Sequence, residues 1–204
     1  MPTDAKPKIT CYSHDEEALM RRSQELRARF LGPLLRVLAA GKVTANHVTL
    51  LSLVAGLAFC PVFLWGSQAL AFGLLLLHAV LDGLDGPLAR HTQRASNRGS
   101  VTDTAADQVV VACSTVTMIH AGYAGAWSGG LYLFLYGIVV LFALVRNALA
   151  VPYSWLVRPR FIVYAWMPVE VYLWRGTLDP LLWGLTALLA AKAISGFVQI
   201  RRKL

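Results

Sequence analysis

Residues 81–108 read LDGLDGPLARHTQRASNRGSVTDTAADQ, and the reading of the chain turns on this stretch. Asp82, Asp85, Asp103 and Asp107 lie beside two of the most apolar runs of a 204-residue chain that is 56% hydrophobic and only 15% charged. A chain of this size cannot hide so much apolar surface in one small soluble core, and lipid is the simplest solvent for it. Crossing a bilayer takes about 20 apolar residues. Working outward from the aspartates, windows of that length fall at 48–65, 68–89, 104–121, 130–150, 161–174 and 180–199, with Pro168 and Glu170 interrupting the fifth. The expected fold is therefore an all-α integral membrane protein with six transmembrane helices.

The net charge of +8 is arranged rather than spread. Arginines and lysines precede the first span (Arg21 to Lys42) and follow the second (Arg90, Arg94, Arg98), the fourth (Arg158, Arg160) and the sixth (Arg201, Arg202, Lys203). The alternate loops, Gly66-Ser67-Gln68 and Ala121 to Gly130, carry no charge. Basic loops stay on the cytoplasmic side, so both termini and the aspartate loop are expected there. The basic excess marks topology and attraction to anionic lipid, not a nucleic-acid surface. The first 45 residues show no short apolar run with a cleavage site, which fits a cytoplasmic amino terminus.

Residues 1–14 read as a flexible tail, and 15–45 as an amphipathic juxtamembrane helix and linker, with Leu19, Leu26, Phe30, Leu34 and Leu38 recurring at helical intervals among arginines. Such a helix is expected to lie on the inner membrane surface. Residues 46–204 then form one six-helix membrane domain, with Gly56, Gly73, Gly137, Gly184 and Gly196 allowing close helix approach.

Charged groups at membrane depth are costly and usually face a polar cavity with a function. Asp82 and Asp85 are three positions apart, Asp103 and Asp107 four, so each pair occupies one face of a helix. If the second and third spans are antiparallel neighbours, the two acidic edges meet. Four carboxylates around a small volume repel one another unless cations neutralise them. Oxygen ligands without His or Cys select hard ions, Mg²⁺ or Mn²⁺ or else Ca²⁺, rather than zinc, and two ions would suit the charge and displacement at phosphorus. Gly83, Gly86 and Gly99 allow close backbone approach, and Arg90, Arg94 and Arg98 can balance phosphate. Arg146, partly embedded beside Asn147, and Arg158 and Arg160 beyond it are placed to meet an anionic second substrate. His78 and His120 read as hydrogen-bonded packing residues, and Glu170 as a partner for an arginine or a cavity-lining group. Cys11, Cys60 and Cys113 have neither metal nor disulfide spacing.

Written out, Asp82-x2-Asp85-Gly86-x2-Ala89-Arg90-x8-Gly99-x3-Asp103-x3-Asp107 resembles, at all eight fixed positions, the signature of the CDP-alcohol phosphotransferase family. The likeness extends to the spans and to the segment TANHVTLLSLVAGL, residues 44–57, where Ala45 replaces the usual proline before Asn46, and Thr49 follows as in the family. The resemblance implies a phosphatidyltransferase of phospholipid biosynthesis, in which the hydroxyl of a small polar alcohol attacks CDP-diacylglycerol and expels CMP. It implies Asp82, Asp85, Asp103 and Asp107 as metal ligands, with Asp107 also taking the proton of the attacking hydroxyl. It further implies Gly86, Ala89, Arg90, Gly99 and Asn46 around the nucleotide, and a homodimer in the plasma (inner) membrane with its active site facing the cytoplasm. Gln108, where phosphatidylglycerol phosphate-forming members often carry Lys, leaves the acceptor open among glycerol 3-phosphate, inositol phosphate, serine or another alcohol. The alternative is a divalent-cation transporter or channel lined by the aspartates.

Overall fold

The apolar runs found in the sequence coincide, but for residues at their ends, with helices of the computed structural model, which describes residues 31–149, 151 and 158–204. The tail at 1–14 and most of the amphipathic segment lie outside the described residues. The helices are α1 (Leu31–Ala40), α2 (Ala45–Trp65), α3 (Gln68–His91), α4 (Asn97–His120), α5 (Ala126–Ala148), α6 (Pro159–Tyr172) and α7 (Leu178–Lys203). Four of them, α2, α3, α5 and α7, are long and apolar enough to cross a membrane. With 21 to 26 residues they run about 32–39 Å at ~1.5 Å per residue.

The six spans expected include these four; α4 and α6 are the other two. Helix α4 is long enough at 24 residues, but its aspartates and its serine and threonine hydroxyls make it the more polar helix. Helix α6 has 14 residues, about 21 Å, short of a hydrocarbon core of about 30 Å. The outside of the bundle is nevertheless apolar, with Leu50, Val54, Leu76, Val116, Phe134 and Ile194 all exposed. Trp65, Trp127 and Trp174 are exposed near helix ends, where amphipathic rings suit a membrane interface.

Helix α2 organises the first half. It begins at a capping box, in which the Thr44 hydroxyl accepts from the His47 amide at 3.3 Å and the His47 ring accepts from the Thr44 amide at 3.5 Å. It then packs against both α3 and α4, whereas α3 and α4 approach each other less closely. The antiparallel neighbours anticipated from sequence are thus two helices sharing a third. Gly56 permits this sharing: a Cβ there would lie 2.6 Å from Val110 of α4 and 3.2 Å from the His78 ring of α3. Further from the aspartates, Phe59, Phe63, Phe72 and Tyr123 close the α2–α3 end with edge and stacked ring contacts.

The second half joins α5 to α7 and α7 to α6, while α4 meets α5 where Gly129 faces Ile119. Two carboxylates supply helix starts that lack a side-chain cap of their own. Asp179 accepts from the Gly125 amide at 2.7 Å and from the Ser128 hydroxyl, holding the start of α5. Glu170, 1% exposed, accepts from the amides of Gly176, Thr177 and Leu178 at 2.6, 2.8 and 2.7 Å. It serves as a cap for α7, not as an arginine's partner, because three bare amide protons at the buried start of a helix need an acceptor.

Helix α1 lays Leu31, Leu35 and Leu38 against Val48 of α2 and Leu84 and Leu88 of α3. The described part of the amphipathic segment therefore rests its apolar stripe on the protein itself, next to the acidic edge of α3.

Candidate metal and phosphate site

The acidic residues meet in the gap that α2 holds open between α3 and α4. One carboxylate oxygen from each of Asp82, Asp85 and Asp103 lies within 4.8 Å of the other two. An ion bonded at about 2.1–2.5 Å spans oxygens up to about 4–5 Å apart, so the three fit a shared hard cation. The cage lies inside the bundle, some 9–15 Å along the helices from the end that α3 and α4 share, counting ~1.5 Å per residue. Asp82 and Asp85 are buried, and Asp103 is half-buried.

Asp107, one turn beyond Asp103, has a different neighbour. Arg160, the second residue of α6, donates through Nη2 to Asp82 at 2.7 Å and pairs through Nη1 with Asp107. The guanidinium thereby spans the gap and links α3, α4 and α6, with its carbon 4.7 Å from the ring centre of Phe161. It is 4% exposed, and its Nε is buried with no hydrogen-bond partner among the described residues. Two ion pairs on one guanidinium offset the cost of burying it, which neither pair would do alone. Arg146, also 4% exposed, sits in the last turn of α5 and donates to Gln199 of α7. Arg158 is the residue that precedes α6 and is half-buried. Arg160, one of the three arginines proposed from sequence, bonds directly to two of the aspartates.

The positions singled out for a nucleotide line the same end. Gly86 faces open space except for Arg90, whose guanidinium folds back to 3.5 Å from where a Cβ would sit. Gly99 lies in the first turn of α4, its amide donating to the cap Ser96 at 3.1 Å. Ala89 is half-buried, and Asn46 is exposed in the first turn of α2. The positive end of the α4 dipole lies here and favours an anion nearby.

Several residues that shape the site were not assigned a part from sequence. Thr49 donates to Asp85 at 2.7 Å. Ser52 pairs with Nδ1 of His78 at 2.8 Å and also donates to the His78 carbonyl at 3.0 Å. Thr49, Ser52 and Gly56 are spaced three and four apart in an otherwise apolar helix, and that spacing, one polar stripe on one face, was the available signal.

Comparison with known proteins agrees with this arrangement. Residues 42–197 match the CDP-alcohol phosphatidyltransferase family. A CDP-diacylglycerol–serine O-phosphatidyltransferase of Mycobacterium bovis is 31% identical over 110 residues, 53% of this chain and 38% of that protein. An archaetidylinositol phosphate synthase of Aeropyrum pernix is 32% identical over 108 residues, 53% of this chain and 49% of its own. The matches thus span less than half the length of these relatives. The crystal structure of a Mycobacterium tuberculosis phosphatidylinositol phosphate synthase with CDP-DAG bound superposes with a TM-score of 0.71 over 85% of this chain and 94% of that one, at 18% identity, a likeness of fold. With three-quarters of its length matched and the aspartate signature gathered at one cage, the chain belongs to the CDP-alcohol phosphatidyltransferase family.

Proposed function

We propose that this chain is a membrane phosphatidyltransferase that moves the phosphatidyl group of CDP-diacylglycerol to the hydroxyl of a small polar alcohol and releases CMP. The observation that carries the reading is the cage itself: three carboxylates converge within 4.8 Å, with a fourth one turn away. Family membership leaves the cation-transport alternative without support.

Asp82, Asp85 and Asp103 would hold Mg²⁺ or Mn²⁺, and Asp107 would complete a set large enough for two ions. Bound there, the cations would neutralise pyrophosphate oxygens and stabilise the departing CMP. Gly86, Ala89 and Gly99 leave room for the nucleotide, Arg90 stands over Gly86 to balance phosphate, and Asn46 faces the same end of the bundle. Asp107 would accept the proton as the alcohol oxygen bonds to the lipid-bearing phosphorus and the bond from that phosphorus to the CMP oxygen breaks. For this it must leave Arg160, which is then free to turn its donors, including the orphaned Nε, toward the incoming acceptor. Arg160 is accordingly the leading candidate to touch the acceptor, ahead of Arg158, while Arg146 would act through its tie to α7.

In this reading α4 and α6 also cross the bilayer, α4 with its polar face turned inward and α6 at a slant or in a locally thinned layer. Both termini and the cage would face the cytoplasm of a plasma (inner) membrane. The amino-terminal segment would lie at that interface, and the family resemblance supports a homodimer.

The test is to incubate the purified chain with CDP-diacylglycerol, Mg²⁺ or Mn²⁺ and, separately, glycerol 3-phosphate, inositol phosphate and serine, following CMP and radiolabelled lipid. One acceptor should yield both products in equal amounts. No product from any alcohol with either metal would sink the proposal.

A further inference from the structure

Thr49 is singled out by the sequence, yet no step of the reaction above uses it. Its hydroxyl oxygen stands 2.7 Å from Oδ2 of Asp85 and 3.1 Å from the carbonyl of Ala45, one turn back along α2. A hydroxyl has a single proton to donate. The closer acceptor is also the charged one when Asp85 is ionised, and a charge-assisted bond is the stronger, so the proton belongs to Asp85. The branched side chain is stiff about its first torsion, and the rotamer it occupies is the one that brings the hydroxyl to Asp85 of α3.

The surroundings leave this donor little freedom. The Thr44–His47 box determines where α2 begins, and hence the direction in which residue 49 points. One turn further on, Ser52 and His78 form a second polar rung between the same two helices, and Gly56 brings α2 close enough for both rungs to form. Helix α2 supplies no carboxylate to the cage, but it controls the pose of one.

We propose that Thr49 is a positioning residue for the divalent site: by holding Oδ2 of Asp85 it fixes the plane of that carboxylate in the orientation shared with Asp82 and Asp103. The inference rests on the cage being a metal site. An ion that demands near-regular geometry dehydrates onto a preset oxygen more readily than onto a rotating one, and hydrogen bonds to ligating carboxylates orient them in this way.

The experiment is an Mn²⁺ titration of the full chain in detergent, read by electron paramagnetic resonance, alongside thermal melts without metal. Thr49→Val, which keeps the shape and removes the proton, should weaken Mn²⁺ binding by about 10–100-fold. Thr49→Ser, which restores the donor, should restore the affinity. Ser52→Ala removes the neighbouring rung and should lower the melting temperature while leaving Mn²⁺ affinity in place, which separates positioning from general loosening. Wild-type affinity in Thr49→Val, or an equal loss in Ser52→Ala, would overturn the inference. A wild-type chain that binds no Mn²⁺ would overturn the metal reading itself, and this inference with it.

Discussion

Arg160, at the start of α6, donates to Asp82 of α3 across 2.7 Å, although 78 positions separate them in sequence. The same guanidinium reaches Asp107 of α4, so one cation bridges two carboxylates from different helices and offsets part of their charge. It is also a bond by which α6, the shortest of α2 to α7, is tied to the first half of the bundle.

Replacing Arg160 with Leu leaves Asp82 and Asp107 facing each other without a counter-charge. Breaking a buried pair by removing one partner costs about 3–5 kcal/mol. The melting temperature in metal-free buffer should fall accordingly, and added Mg²⁺ should recover more of the loss than it adds to wild type. Equal shifts in both proteins would argue against the guanidinium as the resident counter-cation.

Asp107→Asn keeps the shape of the side chain but cannot take up the acceptor's proton. The variant should remain folded, with a melting temperature lowered because a neutral amide replaces the charged partner of Arg160, and CMP release from CDP-diacylglycerol should drop by at least about 100-fold, the lower end of what a positioned general base contributes. Turnover at the wild-type rate would remove Asp107 from that role.

Asp82→Asn, Asp85→Asn and Asp103→Asn should each abolish turnover together with Mn²⁺ binding, and chelation should silence the wild-type protein reversibly. Mg²⁺ or Mn²⁺ should restore it, since oxygen-only sites favour hard ions. Full activity after exhaustive chelation is the outcome that would count against a metal site.

Gly56→Ala places a methyl group 2.6 Å from Val110, at the point where α2 meets α4. Overpacking of this kind costs about 1–3 kcal/mol. Because the same helix carries Thr49, the displacement should also weaken Mn²⁺ binding. Gly73→Ala, where a Cβ meets nothing within 4 Å, is the control: it should raise stability slightly, by about the 0.5–1 kcal/mol that a helix-interior Gly costs, and leave Mn²⁺ binding unchanged.

Glu170→Ala strips three backbone amides of their shared acceptor at the start of α7. Leaving buried donors unpaired costs about 1–3 kcal/mol each. The loss of stability should exceed that of Glu170→Gln, whose remaining oxygen can still accept, and thermal melts of the two variants order them.

The helices and the acidic edges were legible because both are local. Hydropathy over twenty residues marks where α2, α3, α5 and α7 run, and the spacings Asp82–Asp85 and Asp103–Asp107 place each pair on one face whatever surrounds it. What lay beyond the sequence was relational. Nothing in the order of residues states that α3 and α4 share α2 instead of packing on each other, since that depends on which close approach Gly56 permits. The reach of Arg160 follows from where α6 is set down, and an arginine just after a span looks the same whether it marks topology or bridges two aspartates. Glu170 is an intermediate case. An acid six residues before Gly176 is close enough to fold back on the next helix start, but its position among apolar residues suggested an arginine partner or a cavity. Helix α4 was counted as a span from sequence, although the hydroxyls and carboxylates that make it useful also make it look less like a membrane helix.

The placement of the acids has an electrostatic consequence for the whole molecule. Each carboxylate side chain among the described residues is at least partly buried, in the cage or at a helix start, while Arg36, Lys42, Arg90, Arg94, Arg98, Arg201, Arg202 and Lys203 are exposed. Among the described residues, the exposed charged side chains that a negatively charged lipid would meet while drifting in the plane of the bilayer are therefore positive. The sign of the exterior would act as a guide rail for such substrates, one that weakens as ionic strength rises.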